Sequence, residues 1–251
     1  MCELFGFSAA KETDVGEYLR TFFSHSDKHP HGWGLMYGSD HRIIKGAEQA
    51  SQSMMLRRVT ETLSPQRSVL AHIRYATVGS IKPENCHPFS GEDITGRVWT
   101  MIHNGTIYSG GQTYRYLNSQ TGDTDSERLF LAFLDRMNRS LVRGSDSERE
   151  RFRVVSGFIA ENAPRNKLNL MIFDGELLYV HKNMKNTLSF KNTEDGIVIS
   201  TGSLDGGEWL PFPMAQVIAY KDGTEIFRGD RHKGIFIPNL EYITALDAMN
   251  I

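Results

Sequence analysis

Two Asp-Gly pairs, each enclosed by apolar runs, limit the possible folds of this 251-residue chain more than any other feature. They lie in LNLMIFDGELLYVHK, at residues 168–182, and in QVIAYKDGTEIFR, at residues 216–228. Asp-Gly between such runs is a strong signal for a tight hairpin that joins two antiparallel strands. GIVISTG, at residues 196–202, predicts one more strand. The second half of the chain is therefore predicted to be mainly antiparallel sheet.

The first half mixes strands with helices. Strands are predicted at residues 4–8, 68–76 and 97–103, and a strand pair in HPHGWGLMYG and HRIIKG turns at Ser39 and Asp40. Apolar residues at helical spacing predict helices at 14–26, 51–63, 125–138 and 147–161. Thr124 and Glu127 form a capping-box pattern at the start of the third. Because the order shows no regular βαβ alternation, we predict an α+β fold with antiparallel sheets, as one domain over residues 2–251.

Composition excludes several classes of protein. Hydrophobic residues make up 39% and charged residues 23% of the chain, and the net charge of −2 is spread without a basic stripe. We therefore expect no nucleic-acid partner and, because no apolar run approaches the length of a membrane span, no membrane partner. Glu3 interrupts any signal-peptide pattern, and the chain has only two cysteines. A reducing, cytoplasmic setting is the resulting expectation.

The opening MCELFGFS places a cysteine directly after the initiator methionine. Removal of Met1 would leave Cys2 with both a thiol and a free α-amine, and an N-terminal amine can act as the base for an N-terminal nucleophile. The thiol itself becomes a strong nucleophile once it is ionised. The alternative is a small apolar residue buried in a strand. A retained Met1 would block the amine.

Four further stretches follow in a fixed order: LAHIRYATVGS, ENCHPF, MIHNGTI and GDTDSERLF. Together with the N-terminal cysteine, they resemble the class II (N-terminal nucleophile) glutamine amidotransferases, and the length and the early HGWG look most like the short, stand-alone YafJ-like members. The resemblance covers the first half of the chain. It implies an Ntn-hydrolase four-layer αββα sandwich with two antiparallel sheets, an amidohydrolase activity and no cofactor.

An arginine and an aspartate predict recognition of an amino-acid head group. Arg74 lies in the apolar run AHIRYAT, where a charge is costly to bury without a partner. It either pairs with a neighbouring acid or grips a carboxylate in bidentate fashion. Asp125 either complements a helix dipole or binds a cation. The resemblance implies that Arg74, with the Thr77 hydroxyl, binds the α-carboxylate of glutamine and that Asp125 binds its α-ammonium.

Asn104 and Gly105, in His-Asn-Gly, are typical of a turn. Amide hydrolysis passes through an oxyanion that requires preorganised hydrogen-bond donors, and the Asn104 side-chain amide and the Gly105 N–H are such donors. The resemblance implies this oxyanion role.

The remaining candidates carry weaker signals. His87, before a proline, is either structural or near the substrate, and the resemblance also places Gly32 of HGWG near the glutamine pocket. His25, His29 and His31 are close in sequence, but proline separates the last two and a closed zinc site usually takes four ligands, so we predict no metal site.

These residues predict hydrolysis of the γ-amide of glutamine by Cys2 through a thioester, with release of ammonia and glutamate. An alternative substrate is a larger γ-glutamyl amide or peptide. A second alternative is a glutamine-binding sensor without catalysis. The motif-bearing stretches contain no acceptor domain, so an ammonia-accepting synthase subunit is a possible partner.

Overall fold

The computed structural model describes residues 2–38 and 40–238, and its first layer of strands is a seven-stranded antiparallel sheet. The central strand, β1, pairs with β4 on one side and with β10 on the other. The sheet order is β11-β9-β10-β1-β4-β2-β3. Its strands are β1 (Glu3–Thr13), β2 (Trp33–Tyr37), β3 (Arg42–Gly46), β4 (Gln66–Ile73), β9 (Ser189–Asn192), β10 (Gly196–Ser200) and β11 (Leu210–Pro211).

The second sheet has six antiparallel strands in the order β13-β12-β8-β7-β6-β5. It contains both predicted Asp-Gly hairpins, β7–β8 and β12–β13, and the turn residues Gly175, Asp222 and Gly223 have positive φ. Positive φ is the reason that such turns favour Gly and Asp. Its strands are β5 (Phe89–Glu92), β6 (Val98–Thr106), β7 (Lys167–Phe173), β8 (Leu177–His181), β12 (Val217–Lys221) and β13 (Thr224–Arg228).

In the part of the chain that the structure describes, four α-helices cover the two outer faces. The helices α1 (Gly16–Ser24) and α2 (Met54–Thr62) pack their apolar sides on the first sheet, where Phe22 and Leu56 share a cluster with Phe5. The helices α3 (Asp125–Leu141) and α4 (Glu148–Asn162) pack on the second sheet. A third cluster, which includes Leu4 and Met171, fills the space between the sheets. The predicted α+β, four-layer αββα sandwich is therefore confirmed.

The alternation of β1 shows how the sequence specifies these layers. Phe5 and Phe7 face the helices, whereas Leu4 faces the other sheet. Successive residues of a strand point to opposite faces, so a strand buried on both sides is continuously apolar. Within the described ranges, no helix is both long and apolar enough to cross a membrane.

Several predicted bounds were wrong, although each predicted element exists. The first helix begins at Gly16 and ends at Ser24, followed by a 3₁₀ turn over His25–Lys28, and the second begins only at Met54. The fourth strand ends at Ile73, one residue before Arg74. The short strands β5, β9 and β11 were not predicted, because their polar residues and prolines resemble loops. Ser39, in the predicted β2–β3 turn, lies outside the described residues.

The capping box at α3 is only half formed. The Thr124 hydroxyl accepts the Glu127 N–H at 3.2 Å, as predicted. The Glu127 carboxylate, however, turns to the preceding loop and accepts the N–H groups of Thr121 and Gly122 at 2.6 and 2.7 Å. The acidic residue therefore fixes the loop before the helix instead of closing the reciprocal bond.

We expect the Thr124→Ala variant to lose about 1 kcal/mol of unfolding free energy. Removal of this buried hydroxyl leaves the Glu127 N–H without its hydrogen-bond acceptor. Urea unfolding followed by circular dichroism measures the loss. Thr121→Ala is the control, since its side chain is exposed, and we expect a change within about 0.5 kcal/mol. Equal stability of the two variants would contradict the assigned cap.

Candidate active site

The Cys2 thiol lies at the end of the first sheet, beside the residue that follows Arg74. Because Glu3 pairs with Ile73, the chain before β1 runs alongside the chain after β4. The Cys2 Sγ accepts the Tyr75 N–H at 3.3 Å and lies 3.4 Å from the Tyr75 carbonyl. Burial raises the pKa of this thiol, while the Tyr75 N–H, Lys167 and Arg74 oppose the rise. The cysteine is thus a partly buried thiol in a site with two cations.

Glu3 anchors the start of the chain. Its two carboxylate oxygens bind His25 Nδ1 at 2.8 Å and His29 Nε2 at 3.2 Å. His31, the third histidine of that stretch, accepts the Ala76 N–H at 3.0 Å through Nδ1. The three histidines therefore hold the N-terminal strand and the segment after Arg74, and sequence reasoning did not foresee the carboxylate that gathers two of them.

Arg74 is buried, with 3% of its surface exposed, and its guanidinium is enclosed by backbone carbonyls. Nη1 donates to Ser80 at 3.0 Å and to His31 at 3.5 Å, and Nη2 donates to Val78 at 3.1 Å and to Gly79 at 3.4 Å. The loop of residues 75–82 thus wraps around the arginine. The predicted bidentate grip on a carboxylate would require this loop to release some of these bonds, and it stays a prediction.

Asp123 holds the loop of residues 75–82 in place. Its carboxylate accepts the Ser80 N–H at 3.1 Å and the Ser80 hydroxyl at 2.9 Å, and it also accepts a hydrogen bond from the Asn85 side-chain amide. These donors lower the pKa of Asp123 despite partial desolvation. Asp123 links the loop around Arg74 to the start of α3, a role that sequence analysis did not identify.

The second sheet contributes β6, whose last residues include His103, Asn104 and Gly105. His103 Nε2 donates to the Lys167 carbonyl at 3.1 Å, and Nδ1 accepts from the Ser126 hydroxyl at 2.9 Å. Burial lowers the pKa of His103, consistent with this neutral form. A Cβ on Gly105 would overlap the Lys167 carbonyl, so this position requires glycine for the close approach of β6 to β7.

Lys167 connects the two halves of the site. Its ammonium donates to Asn104 Oδ1 at 3.0 Å, and its charge also acts on the Cys2 thiol. Burial lowers the pKa of Lys167 to about 8, with Cys2 acting in the opposite direction. Sequence analysis missed this residue because it opens the hairpin strand KLNLMIF, although a charge at the edge of an apolar run is the signal that identified Arg74.

Asp125 is the first residue of α3, as predicted, and it is buried. Its Oδ2 accepts the Ile107 N–H at 2.7 Å, and its Oδ1 accepts the Ser126 N–H at 3.0 Å. The carboxylate thereby joins the end of β6 to the start of α3, and its charge raises the pKa of the nearby His103 against the effect of burial. Each oxygen keeps a second lone pair, so binding of an ammonium remains possible chemically.

The family model for class II glutamine amidotransferases matches residues 1–194, more than three quarters of the chain. The chain belongs to the class II glutamine amidotransferases. It is 26% identical to an uncharacterized protein of Methanocaldococcus jannaschii over 262 aligned residues, which cover 92% of this chain and 72% of that protein. It is 29% identical to YafJ of Escherichia coli, whose name also refers to glutamine amidotransferases, with 72% of each chain covered.

Solved structures give the same architecture. A glutamine phosphoribosylpyrophosphate amidotransferase from B. subtilis superposes with a TM-score of 0.67 at 14% identity, over 94% of this chain. This chain spans only half the length of that protein. A structure described as a predicted glutamine amidotransferase from Pseudomonas aeruginosa superposes with a TM-score of 0.57 at 20% identity, over 90% of this chain and 95% of that one. At these low identities, the two similarities show the fold alone.

The other candidate residues of this class II amidotransferase occupy different surroundings. Thr77 is exposed on the loop around Arg74. The Gly32 carbonyl accepts the Arg74 N–H at 2.8 Å, and a Cβ on Gly32 would overlap the Cys86 sulfur, so this glycine supports the backbone at Arg74. Contact of Thr77 or Gly32 with a substrate stays a prediction.

His87 is buried beside His72, with ring centroids 4.2 Å apart. Burial and the neighbouring His72 lower the pKa of His87 well below its usual value, so it is neutral. No described residue hydrogen-bonds to either ring nitrogen. This setting favours the structural alternative, and a substrate contact stays a prediction. Cys86, the residue before it, is a buried thiol whose pKa burial raises to about 11.

Proposed function

We propose that this amidotransferase hydrolyses the γ-amide of glutamine through a thioester on Cys2. The observation that carries the proposal is the surroundings of the Cys2 sulfur, which accepts a backbone N–H and is influenced by Arg74 and Lys167. A thiolate is the reactive form of cysteine, and nearby cations and N–H donors favour it. Cys86 is also influenced by two cations, Arg74 and Lys45, so the feature that distinguishes Cys2 is Lys167, which also donates to Asn104 Oδ1.

The reaction has two covalent steps. The thiolate attacks the γ-carbonyl carbon, and the carbonyl oxygen becomes an oxyanion that the Asn104 amide and the Gly105 N–H stabilise. Collapse of this intermediate breaks the C–N bond, and the nitrogen leaves as ammonia after it takes a proton. Water then attacks the thioester, which releases glutamate and restores the thiol. Oxyanion donors of this kind contribute about 10²–10³ in rate each.

The base in this scheme is the α-amine of Cys2, which exists only after Met1 has been removed. An α-amine has a pKa of about 7.7–8.0 in model peptides, so part of it is neutral at pH 7. Met1 lies outside the described residues. A free thiol persists in a reducing compartment, so the cytoplasm stays the expected location. The expected ammonia acceptor is a separate synthase subunit.

Recognition of the glutamine head group is assigned to Arg74 and Asp125, both of which are buried. The opposite charges match the α-carboxylate and the α-ammonium, and Thr77 would add a hydroxyl. A charged pair of this kind discriminates strongly against analogues that lack one group, because the unmatched buried charge is left unpaired. Asp123 and Ser80, which fasten the loop around Arg74, would control how that arginine reaches the ligand.

A larger γ-glutamyl compound is a second candidate substrate. The segment between β6 and α3 exposes Tyr108, Tyr114 and Leu117, each by about half of its surface. Tyr108 is close enough to Asp125 for that charge to contribute to its raised pKa, after the main effect of burial. This segment directly follows Asn104 and Gly105, the proposed oxyanion donors, so its exposed aromatic side chains would suit a bulky leaving amine. A higher kcat/KM for γ-glutamyl amides than for glutamine would favour this substrate.

We expect 6-diazo-5-oxo-norleucine, a glutamine-shaped electrophile, to add once to the protein, at Cys2, with loss of nitrogen. Intact-mass measurement gives the stoichiometry and the state of Met1, and peptide mapping gives the site. The Cys86→Ala variant is the control and should label equally. Reversible glutamine binding without labelling would instead indicate a sensor, and the absence of both would contradict the proposal.

A further inference from the structure

Lys167 places a cation where burial disfavours its charge. The residue opens β7, a strand buried along its whole length, and only 2% of its own surface is exposed. Burial disfavours the charged form of a lysine and lowers its pKa, here to about 8. A buried ammonium of this kind requires partners that exploit its charge or its hydrogen bonds.

Its contact with Asn104 fixes the orientation of that side chain. The ammonium donates to Asn104 Oδ1 at 3.0 Å, and because an ammonium has no acceptor, the amide oxygen must be the group that faces it. The amide NH₂ of Asn104 then points away from Lys167. Among residues 2–38 and 40–238, none accepts a hydrogen bond from that NH₂, whereas the Asn104 carbonyl is occupied by the Asn169 amide at 3.2 Å. The NH₂ is thus available to a ligand.

The same ammonium acts on the nucleophile. Its charge acts to lower the pKa of Cys2 against the larger effect of burial, and Cys2 acts to raise the pKa of Lys167, so the two groups lie within electrostatic range of each other. The other charged or titratable groups facing this pair are Arg74, after β4, and His103, on β6, which is linked to Asp125 of α3. Lys167 is therefore a cation that hydrogen-bonds to the predicted oxyanion donor and acts electrostatically on the predicted nucleophile.

We propose that Lys167 is a positioning residue, which holds the Asn104 amide with its NH₂ toward the oxyanion and keeps a positive charge within electrostatic range of the Cys2 sulfur. The inference rests on the proposed function for its kinetic consequence. Lys167 does not touch the reacting atoms, and it acts through Asn104 and through its charge. Without it, the Asn104 amide can rotate and present its oxygen, which would repel an oxyanion.

A double-mutant cycle tests the link to Asn104. We expect Lys167→Met, which keeps the side-chain length, to lower kcat for glutamine by about 10²-fold, and Asn104→Ala by about 10²–10³-fold. The double variant should be within about tenfold of Asn104→Ala alone, well short of the product of the two losses, because the contribution through the amide is already missing and only the charge effect on Cys2 persists. Lys182→Met is the matched control. Lys182 is also a buried lysine with a pKa lowered to about 8, but it donates to the Leu188 carbonyl, and its variant should keep the wild-type kcat.

Alkylation by iodoacetamide provides a readout that needs no turnover. At pH 7, Cys2 of Lys167→Met should react about tenfold more slowly than the wild-type residue, because a smaller fraction is thiolate. Cys86, which is fully buried, is the internal control for folding and should stay unmodified. If the methionine variant exposes Cys86, Lys167→Gln, which keeps a donor but has no charge, replaces it.

Either of two results overturns the proposal: unchanged alkylation of Cys2 in a folded Lys167 variant, or multiplicative losses of kcat in the double variant. Failure of the proposed function looks different. If the wild-type protein has no glutaminase activity, the double-mutant cycle cannot be measured. The alkylation rates still decide whether Lys167 acts on the thiol.

Discussion

Replacement of Cys2 by alanine is expected to lower the rate of glutamine hydrolysis by at least about 10⁴-fold. Loss of a covalent nucleophile removes the thioester route, and the losses measured for nucleophiles in comparable hydrolases reach about 10⁶ in kcat. The side chain is small and only partly buried, so the fold should survive the change. Ammonia release measured with a coupled assay gives the rate, and direct binding of glutamine should persist because Arg74 and Asp125 remain.

The chain offers a matched control in its other cysteine. Cys86 donates from Sγ to the Gly46 carbonyl at 3.2 Å, and it packs against Gly32. The Cys86→Ala variant should lose about 1 kcal/mol of stability through a lost methylene-sized contact and a lost weak hydrogen bond, yet keep its activity within a few fold. Glutaminase activity that survives in Cys2→Ala, or disappears in Cys86→Ala, would contradict the assigned nucleophile.

The proposed site draws its residues from both halves of the sandwich. The first sheet contributes Cys2, before β1, and Arg74, after β4, which are brought together because these two strands pair. The second sheet contributes Asn104 from β6 and Lys167 from β7, which are brought together in the same way. Packing of the two sheets through the inner cluster, which includes Leu4 and Met171, then sets the distance between the proposed nucleophile and the proposed oxyanion donor.

The local features of this architecture were predictable from the sequence. Asp-Gly turns and periodic apolar residues depend on neighbours in the chain, so both hairpins and α3 were identified without a structure. The four-layer arrangement came from the resemblance, since element order alone gave only an α+β fold with antiparallel sheets. Element ends were less predictable. The predicted strand continued to residue 76, past the end of β4 at Ile73, because Arg74, Tyr75 and Ala76 continue a strand-like pattern.

The tertiary features of the site were not predictable. The carbonyls that enclose Arg74 belong to a polar loop only four to six residues further along the chain, and such loops carry no periodic signal. The contact of Asp123 with Ser80 joins segments 43 residues apart. Lys167 was missed for a related reason. Its partners lie 63 and 165 residues away in sequence, so only the packing of the two sheets shows why a lysine opens a buried strand.

Arg74→Met is expected to lower kcat/KM for glutamine by about 10²–10³-fold, mainly through KM. Loss of one partner of a buried, hydrogen-bonded charge pair costs about 2–5 kcal/mol, or about 30- to 5,000-fold, and the expected loss lies within this range. The contacts of Arg74 with the loop make a second cause possible, because its removal also frees the carbonyls of Val78, Gly79 and Ser80. The measurement must therefore separate carboxylate binding from loop support.

Two truncated substrates make that separation. 4-Aminobutanamide is glutamine without its α-carboxylate, and glutaramic acid is glutamine without its α-amine. If Arg74 binds the carboxylate, Arg74→Met should leave the slow turnover of 4-aminobutanamide unchanged while it reduces that of glutamine and glutaramic acid. Asp125→Asn is the reciprocal control and should spare glutaramic acid. Equal losses on all three substrates in Arg74→Met would assign this arginine to the loop, and the head-group carboxylate would then need another partner.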